Sequence, residues 1–148
     1  MTRIALYAAA FTLIAGGVMA WYAFKATEGI PGSMSLTAYV DPEAPAKPGC
    51  VRRLTLVVTV LNTASKPATI SAVRFLAGKR TSLDAHVAPR RVGGDEQVVL
   101  RFDVSGVYAR LRAQRIARSI TRVEVRDGAG IRYRSPVALN SDARICGQ

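Results

Sequence analysis

Residues 4–24, IALYAAAFTLIAGGVMAWYAF, run for 21 positions without a charge between Arg3 and Lys25. As a helix rising about 1.5 Å per residue, this stretch reaches about 31 Å, the thickness of a hydrocarbon core. It is either an anchor that stays in a bilayer or an export signal that is removed. Val18-Met19-Ala20 before Trp21 makes an acceptable cleavage site. Two features favour retention. The apolar run continues past that site, and Trp21 and Tyr22 stand beside Lys25, where an aromatic belt and a snorkelling cation mark a membrane interface. The reading is a single transmembrane helix within residues 1–25, a linker at 26–32 and one folded domain at 33–148. Arg3 keeps the N-terminus cytoplasmic, which puts the C-terminal domain in the periplasm or another extracytoplasmic space. Ala8, Thr12, Gly16 and Ala20 recur every four residues and draw a line of small side chains along one face, which lets another membrane helix approach closely.

After Gly32 the pattern changes to short segments of period two, rich in Val, Ile and Thr and punctuated by turn residues. Seven strands are expected, at 33–40, 53–62, 68–76, 81–87, 97–104, 120–126 and 131–139. The segment LTLVVTVLN is apolar on both faces and so belongs in the middle of a sheet. Asp127-Gly128-Ala129-Gly130 is a turn that pairs the last two strands as an antiparallel hairpin, and Gly93-Gly94 reads as another turn. Residues 107–118, VYARLRAQRIAR, contain helix formers without Gly or Pro and give one short crossover helix. The fold class is mainly β, a seven-stranded antiparallel sandwich with one crossover helix.

The residues LTLVVTVLNTASKPATI (54–70) and VEVRDGAGIRYRS (123–135) resemble the strand-turn-strand and last hairpin of bacterial immunoglobulin-like or fibronectin-III-like envelope domains. The resemblance spans most of 53–135 and implies an immunoglobulin-like sandwich. It departs from antibody-type domains, since no Trp lies in the third strand and the two Cys do not sit in facing core strands. Such sandwiches host unrelated functions, so the likeness implies a fold only.

Cys50 precedes the second strand and Cys146 lies in the tail, so a disulfide between them would staple the two ends of the domain in an oxidising compartment. Two Cys and one distant His do not close a tetrahedral metal site. His86, the one histidine, shares a strand face with Asp84. No nucleophile elbow, second metal ligand or phosphate-cradling glycine loop accompanies it, so the pair reads as a surface feature, and neither an enzyme nor a cofactor is expected.

Charge is the strongest global signal. The chain carries 21 Lys and Arg against 10 Asp and Glu, a net charge of +11, and the excess belongs to the domain. On the last hairpin Arg122 and Arg126 flank Glu124 on one face while Arg132 and Arg134 share a face of the neighbouring strand; if the apolar faces coincide on the core, the arginines coincide outside. Arg110, Arg112, Arg115 and Arg118 on the helix extend this basic face. Arginine forks suit carboxylates and phosphates. These features describe a non-catalytic accessory or structural subunit of a larger membrane complex, whose partners are integral membrane subunits reached through the N-terminal helix and the arginine face. Two other readings stay open: an exported binding module for anionic lipid, wall polymer or peptide, and a structural membrane protein of a virus particle. Nucleic acid is a poor fit to an exported domain without an aromatic-lined basic groove.

Overall fold

A computed structural model describes residues 33–43, 49–138 and 144–146, all within the unit Gly32–Gln148. The apolar segment, with Ala8, Thr12, Gly16, Ala20, Trp21, Tyr22 and Lys25, lies outside the described residues. Among the described residues no helix is long and apolar enough to cross a membrane.

The domain is mainly β with one helix. In chain order the elements are β1 (Met34–Pro42), β2 (Cys50–Val51), β3 (Leu54–Asn62), β4 (Ala68–Ala77), β5 (Thr81–Ala85), β6 (Arg90–Val92), β7 (Gln97–Asp103), α1 (Ser105–Ala113), β8 (Ile120–Asp127), β9 (Arg132–Ala138) and β10 (Arg144–Ile145). The main sheet follows the path β5-β4-β8-β9-β1-β3-β7, with β6 continuing the β4 edge. All its pairings are antiparallel except β1 with β9, which is parallel at Ala38↔Val137 and Tyr39↔Ala138. Where an all-antiparallel sandwich was expected, the main strands form one continuous sheet with a parallel seam, and β2, β6 and β10 join the seven expected strands.

The sheet is curled upon itself. Laid flat, β4 and β7 are five strand spacings apart, about 24 Å. Yet the rings of Phe75 on β4 and Phe102 on β7 meet edge to face with centroids 5.3 Å apart. The sheet is thus a curled half-barrel whose two facing layers, β1-β3-β7 and β5-β4-β8-β9, are continuous through the β9–β1 pairing. Ala38, Val40, Leu56, Val58, Val60, Val98 and Leu100 from the first bury against Val73, Phe75, Val123, Val125 and Tyr133 from the second. Tyr108 and Leu111 of α1 are buried in the same core. β3 lies between β1 and β7, as its two apolar faces require. Leu56, Val58 and Val60 face the core, while Val57, on the outer face, is covered to 1% exposure between its pair neighbours Tyr39 and Arg101.

The helix ends earlier than its sequence suggests. Ile116 N–H bonds to Leu111 C=O, Arg115 N–H bonds to Arg112 C=O, and Arg115 is left-handed at φ 54°. This is the paired 6→1 and 5→2 arrangement that closes a helix, with an arginine at the position glycine normally takes. Arg115 and Arg118 consequently leave the helix, and only Arg110 and Arg112 remain on it.

Cys50 and Cys146 form a disulfide with Cα atoms 5.1 Å apart across 96 residues of sequence. β2 and β10 pair in parallel beside it, and Cys146 N–H donates to Val51 C=O at 2.9 Å.

Candidate functional site

The outward side of the β5-β4-β8-β9 layer carries the chemistry. The antiparallel register sets Asp84, Arg74, Glu124 and Arg134 side by side across four strands. Period-two alternation sends these side chains outward because Val73, Phe75, Val123, Val125 and Tyr133 take the core. Charges alternate along the row. Arg74 Nε donates to Asp84 Oδ1 at 2.7 Å and Arg134 Nε donates to Glu124 Oε2 at 2.7 Å. The hydrogen bond to Asp84 and the charge of its carboxylate push the Arg74 pKa up. The Glu124 side chain is only 7% exposed, whereas Arg132 and Arg134 are more than half exposed. A covered carboxylate thus organises an exposed rim of guanidiniums.

The adjacent row is different. There Ala72 pairs with Arg126, and Arg126 pairs with Arg132, so two like charges face each other directly across strands. No carboxylate shares that row. Arg132 reaches Glu124 only at 3.9 Å, against the 2.7 Å bond Arg134 already makes to the same group. The small Ala72 side chain leaves a dimple of about 70 Å³ lined by Ala72, Arg74, Glu124, Arg126 and Arg132. Five arginines (Arg74, Arg122, Arg126, Arg132, Arg134) share this face with two carboxylates (Asp84, Glu124), which leaves an unbalanced positive field on a rigid sheet.

The hairpin arginines named from sequence therefore do come together, with Arg122 one row further along at the Leu76 and Pro136 pair positions. Arg74 was missed, although the alternation in SAVRFLA marks it as outward once Val73 and Phe75 are placed inside. Arg110 and Arg112 lie on α1, and Arg115 and Arg118 on the loop after it, not on the strands that carry the cluster. Arg112 lies over the Tyr108 ring at 5.6 Å and donates to Arg118 C=O at 3.1 Å, so it serves to pack the helix and its following loop. That loop abuts the β4–β5 turn, because a Cβ on Gly78 would meet Ile116 C=O at 3.3 Å.

The Asp84 and His86 pair separates. Asp84 bonds Arg74, while His86 stands beyond the end of β5 and lines a different groove, of about 340 Å³, with Arg90 and the β7 residues Val99 to Phe102. Among the described residues no group of three or more His, Cys, Asp and Glu side chains is arranged to hold a metal ion.

Two polar clusters brace the layers. Asp127 N–H and Oδ1 bond Ile131, while Oδ2 accepts from the Tyr133 hydroxyl at 3.2 Å, fixing the hairpin turn beneath the arginine face. Burial pushes the Tyr133 phenol up. At the start of α1, Asp103 Oδ1 accepts Ser105 N–H at 3.0 Å, while Asp103 Oδ2 faces Arg53 Nε at 3.4 Å. The Ser105 hydroxyl, ahead of Ser105 N–H and Arg53, holds the Asp103 carboxyl below its ordinary value. A carboxyl depressed in the fold contributes stability that is full above its unfolded pKa, about 3.9, and is lost as pH falls through the lower folded value. Asp103 is more than half exposed, so after solvent screening its contribution is about 0.5 kcal/mol. Asp103→Asn should accordingly flatten the decline in urea midpoint below about pH 4 by that amount, measured against the wild-type protein.

No family model and no curated protein matches the chain. A solved structure, the X-ray structure of Northeast Structural Genomics Consortium target SoR45, is similar over 80% of this chain and 92% of its own, with 7% sequence identity and a TM-score of 0.40.

Proposed function

We propose that this chain is a non-catalytic accessory subunit of a larger membrane complex, anchored by residues 4–24 and bracing its partners from the extracytoplasmic side with an immunoglobulin-like sandwich. The observation that carries the reading is the arginine face: Arg126 and Arg132 opposed above Ala72, next to a carboxylate that is already engaged by Arg134. Like charges across a strand pair destabilise an isolated sheet. An acidic partner surface converts that repulsion into charge-assisted forks, which makes docking both favourable and oriented. The immunoglobulin-like assignment is supported by strand order. β1-β3-β7 runs as strands A, B and E do, and β9-β8-β4-β5 runs as G, F, C and C′ do. The anchor is supported by the uncharged run and its aromatic and lysine flank, and export by the disulfide.

The test is gentle detergent extraction of the full chain from its native membrane, followed by sizing. Co-migration with integral membrane subunits is expected. The double substitution Arg126→Gln with Arg132→Gln should cut the co-migrating fraction at least tenfold while leaving the urea midpoint unchanged or slightly raised, since it removes a repulsion. A lone monomer overturns the proposal. The same face also admits the second reading, a binding module for anionic lipid. Salt-sensitive binding of that monomer to phosphatidylglycerol vesicles, lost in the double variant, would select it.

A further inference from the structure

The path of the main sheet ends at β7, and the hydrogen bonds at its two ends define which backbone groups that strand leaves over. Asn62 N–H donates to Glu96 C=O at one end and Val104 N–H donates to Leu54 C=O at the other. In an antiparallel pair, bonded positions alternate. With the register Leu61↔Gln97 through Thr55↔Asp103, the bonds to β3 are made at Val98, Leu100 and Phe102. The N–H and C=O groups of Gln97, Val99, Arg101 and Asp103 therefore point away from β3, toward a side where no described strand pairs. This edge is seven residues long, without proline, and its register with β3 is unbroken. Natural proteins normally blunt such an edge. The opposite edge of the domain is blunted: it is split into β5 and β6, with Pro89 between them and only three residues in β6.

Beside the open edge lies the groove of about 340 Å³ lined by His86, Arg90 and Val99 to Phe102, within the size range of ligand sites, roughly 300–1,000 Å³. Arg90 and Arg101 border it, and Val99 is 41% exposed at its mouth. In the immunoglobulin-like arrangement this is where the fourth strand of the A-B-E layer pairs. We propose that β7 is an acceptor edge for an extended, acidic segment of a partner protein, which adds as a fourth strand to the β1-β3-β7 layer. The backbone of the incoming segment bonds the outward groups of Gln97, Val99, Arg101 and Asp103. Carboxylates on one face of the segment meet Arg101, with Arg90 bordering the same groove, and its alternate apolar side chains fall on the face of Leu100 and Phe102, the mode in which main-chain bonds give affinity and side chains give selectivity. The site is independent of the arginine face, which lies on the outside of the other layer.

The test uses the full chain in detergent and the eight-residue peptide acetyl-(Glu-Val)4-amide, read by residue-resolved amide exchange. The expected result is slowed exchange at alternate amides along β7, Val99 and Arg101 foremost, with Val98 and Leu100 unchanged because they already bond β3. The peptide with Lys for Glu should bind at least tenfold more weakly, and a peptide N-methylated at alternate positions should give no protection. Val99→Pro removes an outward N–H that β3 does not use; binding should fall at least tenfold with the thermal midpoint nearly unchanged. If that variant fails to fold, Arg90→Glu with Arg101→Glu replaces it, and the preference should invert toward the Lys peptide. Absence of alternating protection at millimolar peptide, or indifference to N-methylation or to peptide charge, overturns the proposal. Protection that grows with protein concentration without peptide also overturns it, by assigning the edge to a second copy of the chain.

Discussion

Replacing Cys50 and Cys146 by Ser is expected to lower the unfolding free energy of the domain by about 4–5 kcal/mol, the chain-entropy value for a closed loop of roughly 100 residues. The disulfide closes 96 residues of sequence, nearly the whole domain, so its main effect is to shrink the unfolded ensemble. The native state loses little besides the short β2–β10 pairing and the Cys146 to Val51 hydrogen bond. For a domain of this size the loss corresponds to a fall in thermal midpoint on the order of 15 °C. The two single substitutions should each cost nearly the full amount and the double variant scarcely more, because one bond is being removed in every case. Reductant should produce the same shift in the wild-type protein and none in the double variant. A midpoint change of only a degree or two would mean that the unfolded chain is held compact by other contacts. A large shift makes the stability of the domain conditional on an oxidising compartment, as the proposed extracytoplasmic location requires.

The features legible in the sequence are those set by local pattern. The two apolar faces of LTLVVTVLN marked a strand with neighbours on both sides, alternation in the last hairpin set the shared outward side of Arg122, Glu124, Arg126, Arg132 and Arg134, and the turn residues Asp127 to Gly130 set the pairing. What was not legible depends on tertiary pairing or on an unusual backbone. β2 and β10 are two-residue strands that exist because the disulfide brings them together. β6 is three residues whose strand partner is β4. The helix ends through an arginine in the left-handed region, a position at which sequence normally announces itself with glycine. The parallel seam of β1 on β9 leaves no signature in either strand, since period two is the same for parallel and antiparallel neighbours. The arginine face was half visible for the same reason: residues on one strand could be assigned a side, but Arg74 joins only through the β4–β8 register.

The β7 edge also depends on a residue that alternation alone passes over. Asn62 closes β3 at 0% exposure, and its amide nitrogen donates to Lys66 C=O at 2.8 Å, Gly93 C=O at 3.0 Å and Val92 C=O at 3.4 Å. Its carbonyl oxygen accepts Ala64 N–H at 3.1 Å, and its backbone N–H bonds Glu96. One side chain therefore ties the β3–β4 turn to the end of β6 and the start of β7. Asn62→Ala leaves a covered cavity and several backbone groups without their partner, and is expected to cost about 3 kcal/mol. The urea midpoint should fall with no change in m. Asn62→Asp keeps the shape but turns a donor toward three carbonyls into a carboxylate, so it should cost at least as much at pH 7. Its defect is predicted to be pH-dependent. Repulsion and burial raise the folded pKa of the new carboxyl above the unfolded value of about 3.9, so the domain regains stability as pH falls toward that value and loses it as pH rises through the folded one. Partial recovery of the Asn62→Asp midpoint near pH 5, with none in Asn62→Ala, would identify the amide donor, rather than volume, as the group that aligns β7. A pH-independent defect of equal size in both would assign the role to packing. In the first case the Asn62→Ala domain should also lose the alternating peptide protection along β7 under conditions where it remains folded, because the edge can accept a strand only while its own register on β3 is held.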